Sequence, residues 1–114
     1  IKKVVNFLKK RGSSIKDLIA VIGPSIDQNN YEIQKDFKDK FLKKNKIFFK
    51  KKKTTLYFDL PNFIKSQIKS LKISNIDMIN IDTFDRKNNF FSARQSLKLK
   101  HSDYGRNISI IMIN

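Results

Sequence analysis

A chain of 114 residues is one small domain or part of a larger one, able to bury a modest core but not two. The absence of cysteine excludes a disulfide framework, a thiolate nucleophile and a cysteine metal ligand within these residues, and no apolar run has the length of a membrane span. The net charge of +15 gives weak attraction to any polyanion, but lysine supplies nearly all of it and arginine only four positions. Base readout and bidentate phosphate clamps favour arginine, so the lysines read as solvated faces, inflated together with Asn and Ile as A/T-rich codons would do.

Ile1, Val4, Val5 and Leu8 fall on one face of a helix, with Lys2, Lys3, Lys9 and Lys10 opposite and Arg11-Gly12 as its end. The pattern starts at Ile1 with no leader, so the amino terminus reads as a cut and the compartment as cytoplasmic. Residues 18–22 form a branched apolar run too short for a helix, which predicts a buried strand. Gly23-Pro24-Ser25 stops that strand at its carboxyl end, where α/β sheets bind ligands, although a plain turn explains it as well. Tyr31, Ile33, Phe37 and Phe41 predict a short extended piece leading into a helix. Glu32, the sole glutamate, sits at that junction and suits either a general base or an ion pair.

Residues 43–53 are a lysine run broken by Ile47-Phe48-Phe49, expected to be an exposed connection whose aromatics dock on the core. A strand over 54–58 follows. A helix then starts at Pro61, capped by Asp59 or Asn62, with Phe63, Ile64, Ile68 and Leu71 as its buried stripe. Residues 76–81 give a further strand and 108–113 a last one. Alternation of this kind predicts an α/β sandwich with amphipathic helices on a mixed sheet.

The stretch 82–106 holds the residue types that do more than pack. Asp82 and Asp85 bracket a strand end, where turn capping explains them as well as catalysis does. His101 has no second ligand at metal spacing and reads as a solvated loop residue. Arg94 and Arg106 stand out in a chain that otherwise chooses lysine, since a guanidinium supplies a planar fork of donors.

The blocks Ile22-Gly23-Pro24-Ser25-Ile26, Tyr31-Glu32-Ile33, Phe58-Asp59-Leu60-Pro61, Phe90-Phe91-Ser92 with Arg94, and Asp103-Tyr104-Gly105-Arg106 occur in that order. Together they resemble the carboxyl half of the YfiH/YlmD family, also called laccase-domain or multicopper polyphenol oxidase proteins. The resemblance implies a layered α/β fold, of which residues 1–114 would be the carboxyl-terminal part. It also implies a zinc-dependent enzyme that phosphorolyses purine nucleosides and deaminates adenosine. The family's zinc ligands, two histidines and a cysteine, lie in its amino half, so this segment is expected to bind no metal and to be inert alone. Two departures fall within the match: Asp82-Thr83 stands where the family usually has Cys-Thr, and Ala93-Arg94-Gln95 where it has Tyr-Arg-Arg.

On this reading Gly23, Pro24 and Ser25 form one rim of a substrate pocket, and Phe91, Ser92 and Arg94 line the other. The aromatic face would take a purine and the guanidinium phosphate or ribose oxygens. Arg106 is either a second anion contact or a structural fork. Expected partners are a purine nucleoside, phosphate, and an amino-terminal half or paired chain. Two readings of other classes stand beside it: an inactive or split homologue that acts by pairing, and a basic nucleic-acid-binding module.

Overall fold

The computed structural model describes residues 1–102 and 105–112; Asp103 and Tyr104 of the last matched block, and Ile113 of the expected last strand, lie outside the described residues. Helix α1 spans Lys2–Lys10 and ends as its sequence requires. Gly12 takes φ +94°, its N–H donates to the Lys9 carbonyl, and the Ser13 N–H reaches back to Leu8. This paired closure needs a left-handed residue, which glycine supplies without strain.

Strand β1 (Ile19–Ile22) and strand β5 (Asn75–Met78) form a parallel pair, with Ile19 opposite Asn75 and Ile22 opposite Met78. A separate antiparallel sheet has β4 (Thr55–Phe58) at its centre, β3 (Phe49–Lys52) on one side and the two-residue β2 (Glu32–Ile33) on the other. The class is α/β as expected, with the two pairing types in separate sheets. A short helix, α2 (Lys35–Asp39), follows β2, and α3 (Leu60–Ser70) joins β4 to β5. Asp59 is the cap of α3: its Oδ1 accepts the Asn62 N–H at 3.1 Å, with Pro61 in the first turn.

Two small packed clusters replace the one core expected from length. In the first, Val5 of α1, Ile22 of β1, Ile68 of α3 and Ile73 are buried, with Leu18, Ala20, Ile64, Ile76 and Met78 packed against them. The second is aromatic and centres on Phe58, which is 1% exposed. Rings of Tyr31, Phe37, Phe41, Phe49 and Phe63 lie 4.8–5.9 Å from the Phe58 ring, mostly tilted or edge-on. Helix α3 touches both, Phe63 on the aromatic side and Ile64 and Ile68 on the aliphatic side.

Three expectations are corrected. Residues 43–53 are not a plain connection: Lys43–Phe48 is a 3-10 helix and Phe49–Lys52 pairs with β4. Phe48 and Phe49 do dock on the core, and that docking lines the backbone up with β4 while the lysines stay in water. Strand β1 is buried on one face only, because α1 and α3 cover Ala20 and Ile22 while Ile19 and Val21 remain 71% and 52% exposed. Among the described residues 105–112 there is no strand, and Ile108, Ile110, Ile111 and Met112 are exposed. The Ser109 hydroxyl lies beside Gly23 at the end of β1, but no ladder forms between the described residues of this segment and a strand. No helix among the described residues is long and apolar enough to cross a membrane.

Lys72 follows α3 with φ +65°, donating its N–H to Lys69 as Gly12 does after α1. We predict that Lys72→Gly stabilises the chain by about 0.5–1 kcal/mol, because the left-handed penalty for an L side chain disappears. Phe58→Ala should cost about 3–5 kcal/mol through the cavity it leaves among the rings. Denaturant midpoints of the two variants check both, and a neutral Phe58→Ala would show that the aromatic cluster does not hold the antiparallel sheet.

Candidate functional site at the carboxyl ends of the parallel strands

Because β1 and β5 are parallel, both deliver their following loops to the same end of the sheet. The ladder continues past the strands: the Ile79 N–H donates to the Ile22 carbonyl, Ser25 N–H to Ile81, and Thr83 N–H to Ser25. Ser25 and Asp82 thus form an isolated parallel bridge beyond Gly23-Pro24. A cleft of about 170 Å³ opens here, lined by Ser25, Asp27, Pro61, Asn80, Ile81 and Asp82 among others.

Asp82 is the hub of this end. Its Oδ1 accepts the backbone N–H of Asp27 at 3.0 Å and of Phe84 at 2.9 Å, and its Oδ2 accepts the Asn30 side chain at 2.7 Å. Its carbonyl accepts the Asn88 side chain at 2.9 Å. One carboxylate therefore ties the loop after β1 to the loop after β5.

Helix α4 (Ala93–Lys98) packs beside these loops and carries the basic residues of a second cleft. Ser92 caps it, its hydroxyl accepting the Gln95 N–H. The Gln95 side chain donates to the Phe84 carbonyl at 2.7 Å. Arg94 donates Nη1–H to the Glu32 carbonyl at 2.7 Å and lies 5.0 Å over the Tyr31 ring, while Lys98 lies 5.6 Å over Phe84. With Asn29, Asn30, Glu32, Tyr57 and Phe84 they line a polar cleft of about 340 Å³. The Asn30–Asp82 bond forms the wall between the two clefts.

The residues expected as two rims of one pocket are divided between these places. Ser25 lines the first cleft, following Gly23 and Pro24, and Arg94 lines the second. Phe91, 60% exposed, lies over Gly105, where an added Cβ would clash with its ring; Asn107 brackets its backbone, accepting the Phe91 N–H at 3.0 Å and donating to its carbonyl at 2.8 Å. Ser92 acts through the helix cap, and Arg106 follows Gly105 at an exposed position. His101 is exposed, and its backbone N–H closes the end of α4 on Ser96. Tyr31 was expected as a packing position and part of the Tyr31-Glu32-Ile33 block, not as a cleft residue, while Asn30, Tyr57 and Lys98 escaped the sequence reading; the Asp27–Asn30 turn, dense in side chains that bond their own backbone, was the available signal.

Among the described residues no three or more His, Cys, Asp or Glu side chains converge as a metal site. The two nearest carboxylates are committed to N–H donors, Asp82 as above and Asp27 to the Asn29 backbone and side chain at 2.8 and 2.9 Å. To take a metal ion, Asp82 would have to give up the N–H donors that hold the two loops together. We predict that Asp82→Ala costs about 1–3 kcal/mol and exposes the Asp27 and Phe84 amides to faster hydrogen exchange. Unchanged exchange at both amides would show that the carboxylate does not hold the loops.

Two curated proteins are similar over nearly the whole chain. A purine nucleoside phosphorylase of Rickettsia conorii is 35% identical over 113 residues, 95% of this chain and 46% of that protein. A purine nucleoside phosphorylase of Rickettsia prowazekii is 32% identical over 118 residues, 99% of this chain and 48% of that protein. The chain thus spans about half the length of the curated relatives it matches. The family described as multi-copper polyphenol oxidoreductase laccase matches residues 1–114, and the chain belongs to that YfiH/laccase-like family.

Proposed function

We propose that residues 1–114 form the substrate-pocket part of a purine nucleoside phosphorylase. The observation that carries this reading is the cleft where Arg94 and Lys98 stand beside the rings of Tyr31, Tyr57 and Phe84. The names of the two Rickettsia relatives support the same chemistry. In phosphorolysis a phosphate oxygen bonds to C1′ of the ribose as the C1′–N bond to the purine breaks. The base leaves with a proton and ribose 1-phosphate remains.

Two cations at one end of a polar cleft suit the phosphate, whose charge must be held in line with the sugar. Arg94 is held in place for this by the Glu32 carbonyl and the Tyr31 ring, so its fork is fixed before a ligand arrives. The aromatic walls suit the purine. Asn30 and Asp82, between the clefts, suit the ribose hydroxyls, and Ser25 with Gly23 and Pro24 would close the far side. Ser92 contributes by fixing α4, Phe91 by its exposed face, and Arg106 as a second anion contact. Adenosine deamination belongs to the same proposal, as does a zinc ion held by residues outside this chain. A cytoplasmic setting, where nucleosides and phosphate are at hand, completes it.

Arg94→Ala in the complete protein should lower kcat/KM for phosphate by about 100-fold or more, with metal content and melting temperature unchanged. Arg94→Lys should recover part of the loss, since it keeps the charge but not the fork. Steady-state phosphorolysis of inosine and adenosine is the measurement. Unchanged turnover in Arg94→Ala would remove this cleft from the site, and a complete protein that cleaves no nucleoside would sink the reading.

A further inference from the structure

We propose that the free edge of β1, together with the apolar groove between β1 and α1, is the docking surface for a polypeptide equivalent to the half of the curated relatives that this chain does not match. The inference concerns assembly and stands whether or not the nucleoside reading holds.

The two outer positions of each strand in the parallel pair differ. On β5 they are Asn75 and Asp77, a surface made for water. On β1 they are Ile19 and Val21, 71% and 52% exposed and directly opposite those polar residues. The unsatisfied part is therefore β1 alone. Among the described residues β1 pairs with β5 alone, so its other edge offers N–H and C=O groups for a further strand. Parallel strands are found covered on both faces, and a two-stranded pair is too small a sheet to stand as it is.

The groove beside that edge reaches the core. It holds about 360 Å³, bordered by Ile1, Val4, Leu18 and Ile19, with Ile68 and Ile73 of the aliphatic cluster among its lining. Val4 is 61% exposed and Ile1 52% exposed. Closing the groove would bury these side chains with Ile19 and Val21 in one continuous patch, at the strength that apolar burial normally brings. The Cα radius of gyration, 16.4 Å, exceeds the roughly 13 Å of a compact chain near this length, as an incompletely covered sheet would.

The identity of the occupant comes from the coverage of the relatives. Both are matched across 95–99% of this chain but only 46–48% of their own length, so more than half of each relative packs somewhere outside the matched part. In a homologous fold that remainder covers the apolar surface this half leaves open, and the β1 edge is the exposed apolar surface that also offers a sheet edge and a groove reaching the core. A second copy of the chain would instead present the same edge twice.

The test is to mix the 114-residue chain with the unmatched half of the R. conorii relative, and to follow association by sedimentation and hydrogen exchange. We expect a one-to-one complex in which the β1 amides facing away from β5 become protected. Ile19→Lys and Val21→Lys should each weaken it about tenfold or more, and Asp77→Lys should not. Both β1 positions are mostly exposed, so these variants fold. Association that ignores the β1 substitutions would overturn the proposal. So would a homodimer that those substitutions dissolve and that takes up no complement, or protection of β1 by residues 105–112 in the lone chain.

Discussion

Helix α3 is the constraint on which the two halves of the structure depend. Its Phe63 closes the aromatic cluster around Phe58, and Ile64 and Ile68 close the aliphatic cluster under β1. Two sheets with no shared strand are joined in their apolar packing through this helix, and its start is fixed by Asp59, the residue directly after Phe58. The order of causes is short. Packing of Phe58 sets the end of β4, the Asp59 cap sets the first turn, and the helical period then turns Phe63 to the aromatic side and Ile64 and Ile68, four apart, to the aliphatic side. The antiparallel sheet could not be moved against the parallel pair without breaking one of the two clusters.

The site end of the molecule is held by polar rather than apolar contacts, and this determines what its carboxylates can do. Asp82 has both oxygens occupied by N–H donors and Asp27 is bonded within its own turn. Both carboxylates are engaged in fastening loops, and the cations and rings of the neighbouring cleft, Arg94, Lys98, Tyr57 and Phe84, are set apart from that work. At a position where the family usually has cysteine, a carboxylate accepts three hydrogen bonds and joins loops 55 residues apart in sequence. The departure from the resemblance is a change in how the two loops are fastened to each other.

Much of this was legible in the sequence. The Arg11-Gly12 ending, the Asp59-Pro61 start and the α3 stripe follow from local rules that tertiary packing did not override. Arg94 stood out because arginine is scarce, and it does engage a carbonyl and a ring together. What escaped notice was relational. Phe49-Lys50-Lys51-Lys52 has no alternation that marks a strand; it is one because Phe49 meets Phe58 and the lysines suit a solvated edge. Residues 108–112 carry the pattern of a strand and form none, since a pattern records what a segment can pair with and not whether an edge is present. The division of the expected rims into two clefts turned on the Asn30–Asp82 bond, which no spacing reveals.

Among the described residues, Lys53, Lys72, Asn89 and Lys100 occupy positive φ, in a chain with only three glycines. Three of them are lysine, at a hairpin tip and after two helices, positions where glycine is the usual choice. Glycine codons begin with two guanines and lysine codons with two adenines. A genome drifting toward A and T would exchange one for the other wherever a solvated side chain does no harm. At about 1 kcal/mol each, three such positions cost about 3 kcal/mol, a sizeable part of the roughly 5–15 kcal/mol by which small domains stay folded. Under such a drift the nucleotide composition of a gene would be recorded in its protein as backbone strain, and the need for a stable fold would set how far it could run.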